Sequence, residues 1–350
     1  MKLFPYTYEP EKSIDVYRET DFFLKNRPEI KRRIEELGWI YQTIGMIIPH
    51  NLKNLWSGHF FPFLESWEEL QVSFNQICFG FYKQAFVSLR SGLELGLLSV
   101  YFNINDDGHN AVKEWLISGD KTPRKEKIWK ILWQNENIRK FDKKHNLMQV
   151  HNDLGYLHNY VHTKGEKYSN SMGLIKKSNS QTFQADLISK WLNSFADIIS
   201  LVSTLHLLKY PISVIRFDYS KKFGIDIPSF GGLEEYNIDK IASILPDKYL
   251  EDIELIAKDD PATQKTIQEI SSFPNMTEEQ VEEQIINIEK MSIKNGEGFT
   301  KWLENQEQLY KSFGQNEFDE KMKNRIELLR KWATENNFLE SKERRKGWSI

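Results

Sequence analysis

Between residues 67 and 101, apolar side chains recur every three or four positions and spill beyond a single helical face. Leu70, Phe74, Ile77, Phe81, Phe86, Leu89, Leu93, Leu97 and Val100 all lie on this run. A helix that is apolar on more than one face cannot rest on a surface and has to be walled in by others. The pattern predicts a central helix of a bundle. The remaining sequence offers the walls. After Asn26-Arg27-Pro28, a helix start with proline in the first turn, Ile30, Ile34, Leu37, Ile40, Tyr41, Ile44 and Ile48 keep helical spacing. Residues 111–118 read as a short helix closed by Gly119, and another run after Thr122-Pro123 carries Ile128, Trp129, Ile131, Leu132 and Trp133. Residues 147–162 and 186–210 read as two further helices, the second stopped by Pro211. Period-two alternation is rare. The expected class is all-α, an N-terminal helical bundle with a helical C-terminal extension.

The expected organisation is an N-terminal helical segment (1–39), a bundle (40–210), a connector (211–237) and a helical C-terminal region (238–350). The connector holds Pro211, Gly224, Pro228, Gly231 and Gly232. Residues 166–182, rich in Ser, Asn and Lys, read as an exposed loop. C-terminal helices are expected near 247–258, 261–272, 278–294, 297–313 and 316–337, without a fixed repeat. The 22 Phe, 14 Tyr and 10 Trp among 350 residues exclude a disordered chain and can fill a large core.

Charge narrows the partners. The chain holds 47 Lys and Arg against 50 Asp and Glu, a net −3. Residues 1–215 carry 27 basic and 23 acidic side chains, and residues 216–350 carry 20 and 27. This is no general nucleic-acid footprint. Lys121, Arg124, Lys125, Lys127, Lys130, Arg139, Lys140, Lys143 and Lys144 form a local basic segment, read as solvated helix faces, and Lys342, Arg344, Arg345 and Lys346 form a basic tail. Glu278, Glu279, Glu282 and Glu283 mark an acidic helix that is the candidate surface for a protein partner. A single cysteine, Cys78, excludes a disulfide framework and a cysteine zinc site, pointing to a reducing, cytoplasmic setting. The N-terminus lacks the long apolar core of a signal peptide. The apolar stretches 74–100 and 196–208 are interrupted by Lys83, Arg90 and Glu94, and by Asp197 and His206, short of the ~20 uninterrupted residues a bilayer requires. No membrane contact is expected.

One constellation carries chemistry. Arg90 and Glu94, four apart, interrupt the central apolar helix, so at least one is expected inside the bundle with a partner. His158 and His162 share the same spacing on a later helix that, packed against the first, would meet the Arg–Glu pair. Arg90 could grip a phosphate or carboxylate in bidentate fashion, His162 could serve as general acid or base, and Glu94 could orient the imidazole. Tyr156, Asn159 and Lys164 are candidate substrate contacts. The same Arg, Glu and His could instead lock two helices as a polar network that does no chemistry. The His158/His162 spacing would also suit a metal, but no HExxH pattern accompanies it; neither metal nor cofactor is expected. Cys78, the helical tryptophans Trp115, Trp129, Trp133 and Trp191, and His206 read as core residues.

Arg90-Ser91-Gly92-Leu93-Glu94, then Trp115 with Gly119 and Pro123, then the run from Tyr156-Leu157-His158 to Asn159-Tyr160-Val161-His162, resembles uncharacterised bacterial helical proteins similar to the HEPN superfamily, the higher-eukaryote and prokaryote nucleotide-binding bundles. The likeness covers roughly residues 40–210. It implies a bundle that often dimerises, and in active members a metal-independent ribonuclease of toxin–antitoxin and phage-defence systems. The family motif is an arginine followed within a few residues by a histidine near a helix end. His162 stands at the motif histidine, while the arginine positions hold Gly155, Tyr156 and Leu157; Arg90, from another helix, is the candidate substitute.

Two functions follow as expectations. One is a defence- or toxin-type homodimer acting on RNA or a nucleotide through Arg90, Glu94, His158 and His162. The other is a non-catalytic interaction or scaffold module whose Arg–Glu–His set is structural.

Overall fold

A computed structural model describes residues 8–48, 60–105, 110–119, 122–170, 180–225, 231–312, 314–315 and 317–340. Lys121, the basic tail and much of the expected 166–182 loop lie outside the described residues. Within them the chain is all-α. The helices in order are α1 (Pro10–Lys25), α2 (Pro28–Gly45), α3 (Phe61–Cys78), α4 (Tyr82–Asn105), α5 (Asn110–Leu116), α6 (Lys125–Leu132), α7 (Glu136–His145), α8 (Leu147–Asp153), α9 (Leu157–Val161), α10 (Ala185–Lys209), α11 (Ser220–Phe223), α12 (Glu235–Ala242), α13 (Tyr249–Asp259), α14 (Pro261–Ser272), α15 (Glu278–Asn295), α16 (Phe299–Ser312) and α17 (Glu320–Glu335). An isolated antiparallel bridge joins Phe81 and Ser180. The chain divides into two compact units, 1–216 with 229–267, and 217–228 with 268–350, so the last boundary falls inside α14.

In the first unit, the run expected as one helix over 67–101 is two. α3 ends at Phe79-Gly80-Phe81, where Gly80 takes φ +77°. The Phe81 amide then returns to the Gln76 carbonyl at 2.8 Å and the Gly80 amide to Ile77 at 3.3 Å, the Schellman closure of a helix end. The apolar period runs on across this break, which is why periodicity alone hides it. The chain reverses, and α3 and α4 pack as an antiparallel hairpin.

The α4 helix also packs on α10, α9 and α6, which makes it the bundle's central element. Glycine allows the close approaches. A Cβ at Gly96 would lie 2.7 Å from Val202 on α10, and one at Gly92 would lie 2.9 Å from Leu70 on α3. Buried serines tie the same helices together. Tyr41 Oη and Ser66 Oγ are 2.6 Å apart, and Ser66 donates to the Gly92 carbonyl at 2.6 Å. Trp191 donates to Ser73 Oγ at 2.6 Å, which passes its own hydrogen to the Ala85 carbonyl at 2.9 Å. Both α4 and α10 are long and apolar enough to cross a membrane by length and composition, but 72% of each span is buried inside the protein. Their apolar character is that of core helices.

The stretch expected as a helix over 147–162 is also broken. α8 stops at Asp153, a 3₁₀ turn covers Leu154–Tyr156, and α9 resumes at Leu157. Cys78 and His206 are buried, as expected of core residues. Burial pushes the Cys78 thiol up to about 12, so it is protonated at neutral pH.

In the second unit α15, α16 and α17 enclose a core of Ile293, Phe299, Trp302, Met322, Leu329 and Ala333. α15 opens with a capping box between Thr277 and Gln280. Its acidic face is only partly free. Glu282 receives both Nε and Nη2 of Arg325, at 2.6 and 3.1 Å, and an ion pair from Lys321 at 3.0 Å.

Candidate functional site

On α4, Lys83, Arg90 and Glu94 fall on one stripe, because seven and eleven residues are close to whole helical turns. The stripe faces solvent beside α9. Arg90 gives both Nε and Nη2 to a single oxygen of Glu94, at 2.9 and 2.6 Å. Neither side chain is inside the bundle. Arg90 is 25% exposed and Glu94 is 48% exposed, where the sequence suggested that at least one would be buried. A four-residue step along a helix that dips in and out of its core accounts for the difference: Leu89 and Leu93 take the inward positions, leaving Arg90 and Glu94 on the rim. An exposed pair of this kind contributes under about 1 kcal/mol, so it does not lock the bundle.

α9 brings the histidines to this stripe. The rings of His158 and His162 lie 4.1 Å apart at 54°. Partial burial, and then the positive charges of Arg90, His162 and Lys164, hold His158 below the usual imidazole range, with Glu94 opposing them. The helix end itself is unusual. The Lys164 amide closes on the Asn159 carbonyl at 3.0 Å, and this turn puts Thr163 at φ +46°. A β-branched residue in the left-handed region is strained, and glycine is the ordinary occupant. Thr163 is held there with its Oγ1 accepting from Lys83 at 2.6 Å. His162 and Lys164 are exposed on either side of it.

No protein-family model, curated protein or solved structure matches the chain.

The site is therefore read from its own geometry. Arg90, Glu94, His158, His162 and Lys164 gather on one open surface, joined by Lys83 and Thr163, which sequence reasoning missed. Lys83 could have been found from its position seven before Arg90; nothing in the sequence marks Thr163. Tyr156 and Asn159 are engaged elsewhere. Tyr156 hydrogen-bonds Ser194 on α10, and Asn159 donates to Tyr168 Oη at 3.3 Å. They belong to a second cluster around Lys190. The spacing Tyr156/Tyr160 is the signal that could have shown it, because residues four apart on a short helix share a face. Among the described residues no group of three or more His, Cys, Asp or Glu is gathered as a metal site.

Chemically, the arrangement can take up a proton at a neutral imidazole, return one from a second imidazole, and present Arg90, Lys83 and Lys164 to an anion. His206 takes no part. It lies fully buried, with Nε2 2.8 Å from Ser99 Oγ. Ser99 donates to the Gly96 carbonyl at 2.7 Å, so His206 must be the donor in their bond and carries its proton on Nε2.

Proposed function

We propose that the chain is a defence- or toxin-type helical protein that acts on RNA or a nucleotide by metal-independent acid–base chemistry. The observation that carries this reading is the His158–His162 pair, 4.1 Å apart, with cationic neighbours acting on one member. Two imidazoles in unlike surroundings supply what phosphodiester transesterification needs. The neutral His158 accepts the proton of the attacking 2′-hydroxyl. His162, 4.1 Å from His158, is the group placed to return one to the departing 5′-oxygen. Arg90 and Lys164 stabilise the non-bridging oxygens. The strain held at Thr163, next to His162, supports a functional helix end. The likeness to HEPN proteins supports the same reaction class and a homodimer, and the single cysteine supports a cytoplasmic setting.

The test is incubation of the full-length protein with RNA in the presence of a chelator. Expected products end in 2′,3′-cyclic phosphates. His158→Asn and His162→Asn lower the rate by at least about a hundredfold with circular dichroism unchanged. Intact RNA both in the tube and in cells expressing the wild type would overturn the reading.

One observation favours a second reading, the non-catalytic interaction module: Arg90 directs two of its five N–H groups at Glu94 and shares its charge with that carboxylate. Glu94→Gln separates the two. Freeing the guanidinium tightens RNA binding if phosphate is its ligand, and leaves it unchanged if the pair is only a surface tie.

A further inference from the structure

Lys190 reaches from α10 into a box of rings. Its ammonium lies 4.6 Å from the ring centre of Tyr156, 5.4 Å from Tyr160 and 5.5 Å from Phe86. It donates to Tyr160 Oη at 3.2 Å. A second lysine, Lys167, sits 4.9 Å from the ring centre of Tyr168. The rings of Tyr160 and Tyr168 meet edge to face at 4.9 Å, so the two lysines are ends of one cluster. Among the described residues, neither lysine is paired with a carboxylate.

Counting donors and acceptors exposes what the cluster lacks. Tyr168 Oη accepts from Asn159 Nδ2 at 3.3 Å, and the Lys167 ammonium lies over its ring. Its own hydrogen is left to donate outward. Tyr160 Oη accepts from Lys190 and likewise keeps a hydrogen. Each ammonium has three hydrogens, of which Lys190 uses one here. Two ammoniums and two hydroxyls gather around the Tyr160–Tyr168 contact. Tyr160 and Tyr168 are 4% and 9% exposed, so bulk water is poorly placed to balance the surplus. Burial, and then the charge of Lys167, hold Lys190 below the usual ammonium range, although the nearby Tyr168 acts in the opposite direction. An anion between the lysines would relieve that repulsion.

We propose that Lys167, Lys190, Tyr160 and Tyr168 form a binding site for a phosphate monoester dianion. Such a group brings three acceptor oxygens and a double negative charge to a cluster short of both. Lys167 is exposed and Lys190 half-buried. The site uses the Tyr156/Tyr160 face of α9, not the His158/His162 face, and it stands whether or not the histidines cleave RNA.

Isothermal titration calorimetry of the full-length protein tests it, with inorganic phosphate, a 5′-nucleoside monophosphate and the unphosphorylated nucleoside as separate titrants. Both phosphates are expected to bind and the nucleoside is not. Lys167→Met and Lys190→Met should each weaken binding about tenfold or more, and Tyr168→Phe should weaken it several-fold. Tighter binding of the monophosphate would assign a nucleotide as the source of the group; equal binding would assign free phosphate. No heat at millimolar phosphate, or binding indifferent to both Lys167→Met and Tyr168→Phe, overturns the site. Loss of binding in His162→Asn would move the phosphate to the histidines and overturn it equally. Lys167 is exposed, so its variant keeps the test valid if Lys190→Met fails to fold.

Discussion

At the scale of single residues, two histidine environments contrast. His158 is half-buried and His162 exposed at the rim of the bundle. His206 sits in the core with its proton on Nε2, and its Nδ1 has no hydrogen-bond partner. A second proton would have to go on Nδ1, in apolar surroundings beside Phe63. Burial pushes its pKa from 6.5 down to about 3. Below pH 6.5 the unfolded chain takes up a proton that the folded chain refuses. The contribution of His206 is complete above pH 6.5 and is lost as pH falls toward 3, by about 1.4 kcal/mol per pH unit. Urea melts at pH 7 and pH 5 should show the wild type losing about 2 kcal/mol relative to His206→Gln; parallel losses would disprove the assignment. Thr163 provides the opposite case. Replacing it with glycine relieves the left-handed backbone and should raise stability by about 1 kcal/mol, measured by thermal melting, while lowering RNA cleavage. A variant that is less stable would show that the bond from Lys83 outweighs the strain.

At the scale of elements, the sequence was legible where one helix has one apolar face and a clear stop. α10 was expected over 186–210 and spans Ala185–Lys209, because Pro211 ends it. The C-terminal helices are as legible: 278–294 against Glu278–Asn295, with the capping box as its opening signal. Legibility failed where the apolar period crosses a turn. Gly80 interrupts a run whose hydrophobic spacing continues from Ile77 to Phe86, and a period cannot report a reversal of direction. The two glycine breaks make opposite predictions. Gly80→Ala meets a positive φ, with Val16 3.1 Å from the new Cβ and the Gln181 amide nitrogen at 3.3 Å, and should cost about 1 kcal/mol or more. A Cβ at Gly155, in the 3₁₀ turn before α9, meets nothing within 4 Å, so Gly155→Ala should stabilise by about 0.5 kcal/mol. Thermal melts of the pair read both signs. The candidate site was legible in part for the same reason: spacing brought Arg90 with Glu94 and His158 with His162. Spacing within a helix says nothing about depth, so the pair's exposure and the engagement of Tyr156 with Ser194 needed the tertiary structure.

At the scale of the whole molecule, the two units have unequal cores. The first gathers buried residues from α2, α3, α4, α6, α7, α10 and α13 into one cluster, and the second rests on six. Stability follows the apolar area buried. Denaturant should therefore unfold the 268–350 region at lower concentration than the bundle, and hydrogen exchange should be faster there. Leu329, fully buried in the smaller core, is the test position. Leu329→Ala should cost about 2–5 kcal/mol and shift the exchange of α15–α17 while leaving α4 and α10 unchanged. A shift shared equally by all helices would show one cooperative unit.

The pairing of α4 with α10 has a consequence for biosynthesis. About 80 residues separate the end of the first helix from the start of the second. At the usual pace of translation, roughly 5–20 residues per second, α4 waits about 4–16 s before its partner begins to be made. Throughout that interval the Gly96 and Ser99 face of α4, which meets Val202 and His206 once folded, has no α10 to cover it. The nascent chain carries an uncovered apolar rod as it leaves the ribosome, a natural client for a holding chaperone until residue 209 has emerged.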